Sequence, residues 1–81
     1  MRTRFSEKAT TDYAGLSGAV RRAFQRQLRL LLADMRHPSL QVKKYGGASE
    51  LWQARVNRNW RFYFTIRGDT YEIVTIIPHP K

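Results

Sequence analysis

The sequence predicts an α+β domain in which two N-terminal helices pack on one face of a three- to four-stranded antiparallel sheet. Three observations carry that expectation. Between Ser6 and Met35 apolar residues recur every three or four positions, the period of an amphipathic helix. From Leu51 onward the period changes to two, the signature of half-buried strands. Glycine and proline are scattered singly apart from Gly46-Gly47, so no linker divides the 81 residues and residues 1–81 are expected to form one domain.

In chain order, Arg2 to Phe5 reads as a short edge strand, and Ser6 offers an N-cap oxygen to a helix that runs to about Leu16. Phe5, Ala9, Tyr13 and Leu16 fall on its apolar side. Ser17-Gly18 interrupts it, and a second helix from about Ala19 to Met35 carries Val20, Phe24, Leu28, Leu31 and Met35 inward. Its opposite face shows Arg21, Arg22, Arg26 and Arg29, read as a solvated surface that acts through long-range attraction. Arg36-His37-Pro38 ends this helix because a residue before proline avoids helical dihedrals, and His37 reads as a cap or surface residue. Gly46-Gly47 reads as a turn.

Trp52, Ala54 and Val56 alternate with Gln53 and Arg55, and Trp60, Phe62, Phe64 and Ile66 alternate with Arg61, Tyr63 and Thr65. Asn57-Arg58-Asn59 joins these two strands, and Arg67-Gly68-Asp69-Thr70 leads to a third, Tyr71 to Ile77, giving an antiparallel meander. The third strand is apolar on both parities, which implies a more buried position or cover from another chain. Its core-facing parity is not fixed by the sequence.

Composition limits the chemistry. Fifteen Lys and Arg against six Asp and Glu give a net charge of +9, with two His and no Cys. A chain this short excludes separate cofactor and substrate domains, and a core of this size alone supplies about 3–5 kcal/mol, which favours a stabilising partner. Absence of cysteine removes disulfides, thiolate nucleophiles and sulfur-based zinc sites, and fits a reducing compartment. The longest apolar run, Leu30 to Ala33, is far short of the ~20 residues of a membrane span, and no apolar segment opens the chain, so a soluble cytoplasmic protein without a membrane partner is expected. The basic excess attracts polyanions: RNA, DNA, an acidic protein or an anionic surface.

The carboxylates Glu7, Asp12, Asp34, Glu50, Asp69 and Glu72 are dispersed, and only His37 and His79 add imidazole, so neither a metal nor a small-molecule cofactor is expected. No nucleophile elbow, phosphate loop or dinucleotide fingerprint is present. RNA brings its own nucleophile, the 2′-hydroxyl, and its cleavage needs a base, an acid and cations at the phosphorus. If Trp60, Phe62 and Phe64 turn toward the helices, Arg61 and Tyr63 point away, and Arg55 on the adjacent strand does the same. With Lys43, Lys44 and Tyr45 leading into it, this surface has the composition of a nucleic-acid platform. The competing reading makes Arg55 and Arg61 ordinary solvated or salt-bridged residues. His79, between Pro78 and Pro80, is either a held imidazole or part of a frayed terminus.

Ser39 to Lys44, Glu50 to Val56, Asn59 to Phe64 and Ile73 to His79 together resemble the RelE/ParE superfamily of small bacterial toxins. The most specific part is Trp60-Arg61 in a strand that follows the Trp-x-x-Arg-Val strand from Trp52 to Val56. The resemblance implies two helices against an antiparallel sheet, and the toxin of a type II toxin–antitoxin pair with a cognate antitoxin as partner. It also implies metal-independent endoribonuclease activity on mRNA at the ribosome. Arg61 matches the strand arginine at the scissile phosphate, Arg55 a basic position on the preceding strand, and His79 the histidine that some members use as acid or base. Lys43, Lys44, Trp52 and Tyr63 form the implied RNA-binding group. The sequence ends two residues after His79, where many active members have a tyrosine and a further helix, and Gln53 stands where some carry a charge. Two alternatives follow: a ParE-like or catalytically degenerate toxin that grips a protein such as DNA gyrase, and a non-catalytic RNA-binding module.

Overall fold

A computed structural model describes residues 1–45 and 50–79. Gly46-Gly47, expected as a turn, lies outside the described residues, as does Pro80. Two serines start the helices by the same device. Each sits in extended backbone, and its hydroxyl accepts the N–H three residues on: Ser6 from Ala9 at 3.0 Å for α1 (Glu7–Ala14), and Ser17 from Val20 at 3.3 Å for α2 (Gly18–Ala33). The end of α1 is held by a residue of α2. Arg21 Nη2 donates to the carbonyls of Leu16 at 3.1 Å and Ala14 at 3.4 Å, and the guanidinium lies 5.3 Å from the Tyr13 ring centre. A cation at a helix C-terminus is favoured by the macrodipole, so this member of the arginine face is structural and not merely solvated. Past α2, His37 caps a short 3-10 turn, Pro38–Leu40, its Nδ1 accepting the Ser39 N–H at 3.2 Å.

The strands are β1 (Arg2–Phe5), β2 (Lys43–Lys44), β3 (Trp52–Arg55), β4 (Trp60–Arg67) and β5 (Thr70–Pro78). They form one sheet in the order β1-β5-β4-β3-β2. The α+β expectation and the meander hold, with two corrections. The sheet has five strands, because Lys43 and Lys44 pair with Gln53 and Trp52 in a segment too short to show a period of two. The sheet is mixed, because β1 runs parallel to β5 while all other pairs are antiparallel. No hairpin joins β1 to β5, so nothing in the connection forces them to oppose.

The core forms between α2 and the inner sheet face. Phe24 meets Phe62 edge to face at 5.2 Å, with Phe5 and Tyr13 closing around Phe24. Ala54, Val56, Phe62, Phe64, Tyr71, Ile73 and Ile76 complete the sheet side and are buried. Gln27 is the polar exception on the buried arc of α2. Its amide donates to the carbonyls of Ser39 at 3.1 Å and Arg55 at 2.9 Å, and its Oε1 accepts the Ser39 hydroxyl at 3.2 Å, so every polar atom of the side chain is matched.

The double parity of β5 comes from a bulge. Tyr63 opposes Thr75 but Phe64 opposes Ile73, which leaves Val74 as an extra residue. Before it Tyr71 and Ile73 face inward; after it Ile76 does. Beyond Phe5 the outer edge of β5 loses its partner strand, and Asp12 of α1 replaces it. Its Oδ2 accepts from the Thr75 hydroxyl at 2.7 Å, the Ile76 N–H at 3.1 Å and Lys8 Nζ at 3.0 Å. Burial alone would raise the pKa of this carboxyl, but the bonds from Thr75, Ile76 and Lys8 outweigh it and hold the group below its ordinary value. Among the described residues no helix is long and apolar enough to cross a membrane.

Because the Asp12 pKa is lower folded than unfolded, its contribution is complete above the unfolded value and is lost as pH falls through the folded one. Asp12→Ala is expected to cost about 1.5–3 kcal/mol near neutrality, by stranding donors that bond a charged group. Melting curves of both proteins from pH 7 downward check this: the gap should narrow below pH ~4. A gap independent of pH would remove the charge from the explanation.

Candidate nucleic-acid interface

Register alone brings the two strand arginines together. Ala54 opposes Phe62 on the inner face, so the adjoining cross-strand pair, Arg55 with Arg61, projects from the face that the helices leave open. The next row on that face runs Lys43, Gln53, Tyr63 and Thr75. Like charges placed directly opposite each other destabilise a sheet. Among the described residues the salt bridges join Arg2 to Asp69, Arg4 to Glu72 and Lys8 to Asp12, so neither Arg55 nor Arg61 is paired with a carboxylate. Among the described residues the salt-bridged alternative is therefore not realised.

Arg61 is half-buried and anchored. Its Nη1 donates to the carbonyls of Asn57 at 2.7 Å and Trp60 at 2.9 Å, which fixes one edge of the guanidinium against the β3–β4 turn. Burial lowers the pKa of Arg61, and the Arg55 charge lowers it further against an opposing contribution from Tyr63. A guanidinium stays protonated even so, and the site keeps two adjacent cations that an anion would relieve. The turn has its own support: Asn57 Oδ1 accepts the Asn59 N–H at 2.9 Å, and the Asn59 carbonyl accepts the His79 N–H at 2.7 Å. One turn thus holds the Arg61 head group and the backbone of His79, whose side chain is exposed at the same end of the sheet.

Three members of the expected RNA-binding group are placed otherwise. Trp52 shares the parity of Ala54 and Val56, so it faces the helix side, stacks 13° from parallel on Phe64 at 6.5 Å, and lines a groove with Met35, Val42 and Ile66. Lys44 opposes Trp52 and follows it there, its Nζ 5.8 Å from the Trp52 ring centre. Tyr63 is on the open face but covered: its ring meets Tyr45 edge-on at 5.5 Å, and its hydroxyl accepts the buried Gln53 amide at 3.2 Å. Tyr45, 52% exposed, is the aromatic ring that this face offers to solvent. Lys43, Arg55, Arg61 and Tyr45 thus lie on the open face, with His79 at its end. Gln53 and Asn57 support them, and only the asparagine-rich turn signalled either role in advance. Among the described residues no group of three His, Cys, Asp or Glu could hold a metal.

No protein-family model matches the sequence, and no curated protein does. Solved structures match throughout. A YoeB/ParE toxin from Agrobacterium tumefaciens superposes with a TM-score of 0.84 at 14% identity, over 99% of this chain and 100% of that one. The fold is that of the RelE and YoeB toxins. The isolated Escherichia coli RelE toxin gives a TM-score of 0.81 at 15% identity, over 99% of this chain and 85% of its own. The archaeal RelE–RelB complex from Pyrococcus horikoshii gives 0.78 at 18%, over 95% and 92%. At these identities the RelE fold is what the likeness establishes, and the side chains on its open face must be judged on their own geometry.

Gln53→Leu is expected to cost about 1–3 kcal/mol, because it removes the partner of the Tyr63 hydroxyl inside a covered contact. Adding Tyr63→Phe should recover part of the loss, whereas two independent penalties would simply add. Denaturant midpoints of the four proteins of this cycle decide between them.

Proposed function

We propose that this chain is the toxin of a type II toxin–antitoxin pair and that it acts as a metal-independent endoribonuclease on mRNA at the ribosome, in the cytoplasm. The observation that carries the reading is the Arg55–Arg61 pair: two adjacent cations on the open face of a RelE fold, without a carboxylate partner among the described residues. In this reading the 2′-hydroxyl oxygen attacks the neighbouring phosphorus and the 5′-oxygen leaves. Arg61, with one edge bound to the turn, aims its remaining N–H groups at the charge that develops on the phosphoryl oxygens, and Arg55 adds a second cation. His79 exchanges a proton with the attacking or the leaving oxygen and solvent with the other, so that a 2′,3′-cyclic phosphate and a 5′-hydroxyl result. Lys43 holds the backbone by charge, and Tyr45 offers a ring on which a base can stack.

The antitoxin follows from the same surface. An acidic, amphipathic segment that folds on binding would neutralise the open cations, and toxin–antitoxin complexes among the similar structures support an antitoxin partner.

Arg61→Ala should reduce the rate of mRNA cleavage by about 10²–10³, by analogy with the loss of a preorganised oxyanion donor. Primer extension on message in a translating extract reads this directly, with position-specific breaks for the native protein that fade in the variant. Intact message with blocked DNA supercoiling would instead identify a gyrase-type toxin. Saturating antitoxin at a hundredfold excess over its dissociation constant should stabilise the toxin by about 2.7 kcal/mol. Thermal melts with and without the partner measure the shift, and an unchanged midpoint contradicts the pairing.

A further inference from the structure

A second basic site lies on the other side of the turn that holds Arg61. A pocket of ≈ 310 Å³ opens between α2, the Pro38–Leu40 turn and the β3–β4 turn, lined by Arg26, Gln27, Ser39, Arg55, Asn57 and Arg58 among others. Its floor is already satisfied. The Gln27 side chain, 3% exposed, spends its amide on the Ser39 and Arg55 carbonyls and its oxygen on the Ser39 hydroxyl. Asn57 spends its side-chain oxygen on the Asn59 N–H, which leaves its NH₂ as the free end. What remains to meet a ligand is mainly donors: that NH₂, the amide of Gln41 and the guanidinium groups of Arg26 and Arg58, both of which are exposed. No acidic residue lines the pocket, and among the described residues neither Arg26 nor Arg58 enters a salt bridge. Two cations and two side-chain amides around a satisfied polar floor, with no carboxylate among them, match an anion with several acceptor oxygens. The volume is at the low end for ligand sites and is enough for a phosphate with its attached sugar.

We propose that this pocket binds a phosphate group, and, resting on the function proposed above, that the phosphate belongs to the same RNA strand that lies across Arg55 and Arg61. Arg55 connects the two places. Its backbone carbonyl is tied into the pocket floor by Gln27 while its side chain stands on the open face opposite Arg61. Only the turn from Val56 to Asn59 separates them, so a chain of phosphates that rounds the end of the sheet meets both.

The test uses a fluorescent 2′-O-methyl RNA hexanucleotide, which cannot be cut by its own hydroxyl, titrated against the full chain at several salt concentrations. Arg26→Ala with Arg58→Ala should weaken binding and lower the slope of log affinity against log salt by about 0.7 for each arginine. A slope equal to that of the native protein overturns the pocket while leaving the Arg55–Arg61 reading standing. If the native protein does not bind the hexanucleotide, the RNA reading fails, and inorganic phosphate then decides the pocket. Saturable amide shifts at Asn57 and Arg58 that vanish in the double variant sustain a site for a free phosphate, and their absence overturns it. Hexaglutamate displacing the RNA or the phosphate at equal concentration would also overturn it, since plain negative charge would suffice.

Discussion

The placement of the open-face arginines depends on the side of β4 that touches α2. Phe62 packs against Phe24, and Phe64 continues the same inward row, so Arg61, next to Phe62 along the strand, has no choice but the opposite face. Pairing with β3 transmits the constraint: Ala54 lies under Phe62, and Arg55 therefore stands beside Arg61. Burying two phenylalanine side chains is worth roughly 1.5–3 kcal/mol each, which exceeds what two neighbouring guanidinium groups lose by repulsion at a solvated surface. Apolar burial thus holds in place a cation pair that the sheet would otherwise disfavour.

Charge is divided across the sheet in a way that composition conceals. Three of the six carboxylates, Asp12, Asp69 and Glu72, pair with Lys8, Arg2 and Arg4 around β1, β5 and α1. The other side, with β2, β3 and the β3–β4 turn, keeps Lys43, Arg55, Arg58 and Arg61 without such partners among the described residues. Surface ion pairs of this kind contribute little to stability. Their larger effect is to cancel charge at one edge so that the remaining field concentrates at the other, where a polyanion would be steered.

Much of this was legible in the sequence because it rests on local rules. Ser6 announces the first helix start and Ser17-Gly18 the break before the second, the three-four period announces Phe24 and Leu31, and alternation announces the parity of β3 and β4. What was not legible needed the third dimension. A two-residue strand such as β2 has no period to detect. The bulge at Val74 switches parity inside β5, so a single alternating pattern could not describe that strand. Gln27 looks like a solvated helix residue until Ser39 and the Arg55 carbonyl are seen to surround it. Trp52 and Tyr63 carry the composition of a stacking platform, yet one obeys the inward parity of its strand and the other is covered by Tyr45 and Gln53. Arg26, one of four arginines with the same helical period, is distinguished only by the turn that folds up beside it.

The parallel pairing of β1 with β5 has a bearing on timing. Arg2 pairs with Thr70 and Phe5 with Ile73, so β1 cannot take its place in the sheet until β5, far along the chain, has been made. A nascent chain still missing β5 leaves β4 an open edge and gives His79's backbone no place at the turn. Local contacts alone therefore cannot complete this sheet, and its closure carries the entropic cost of joining segments far apart in the chain.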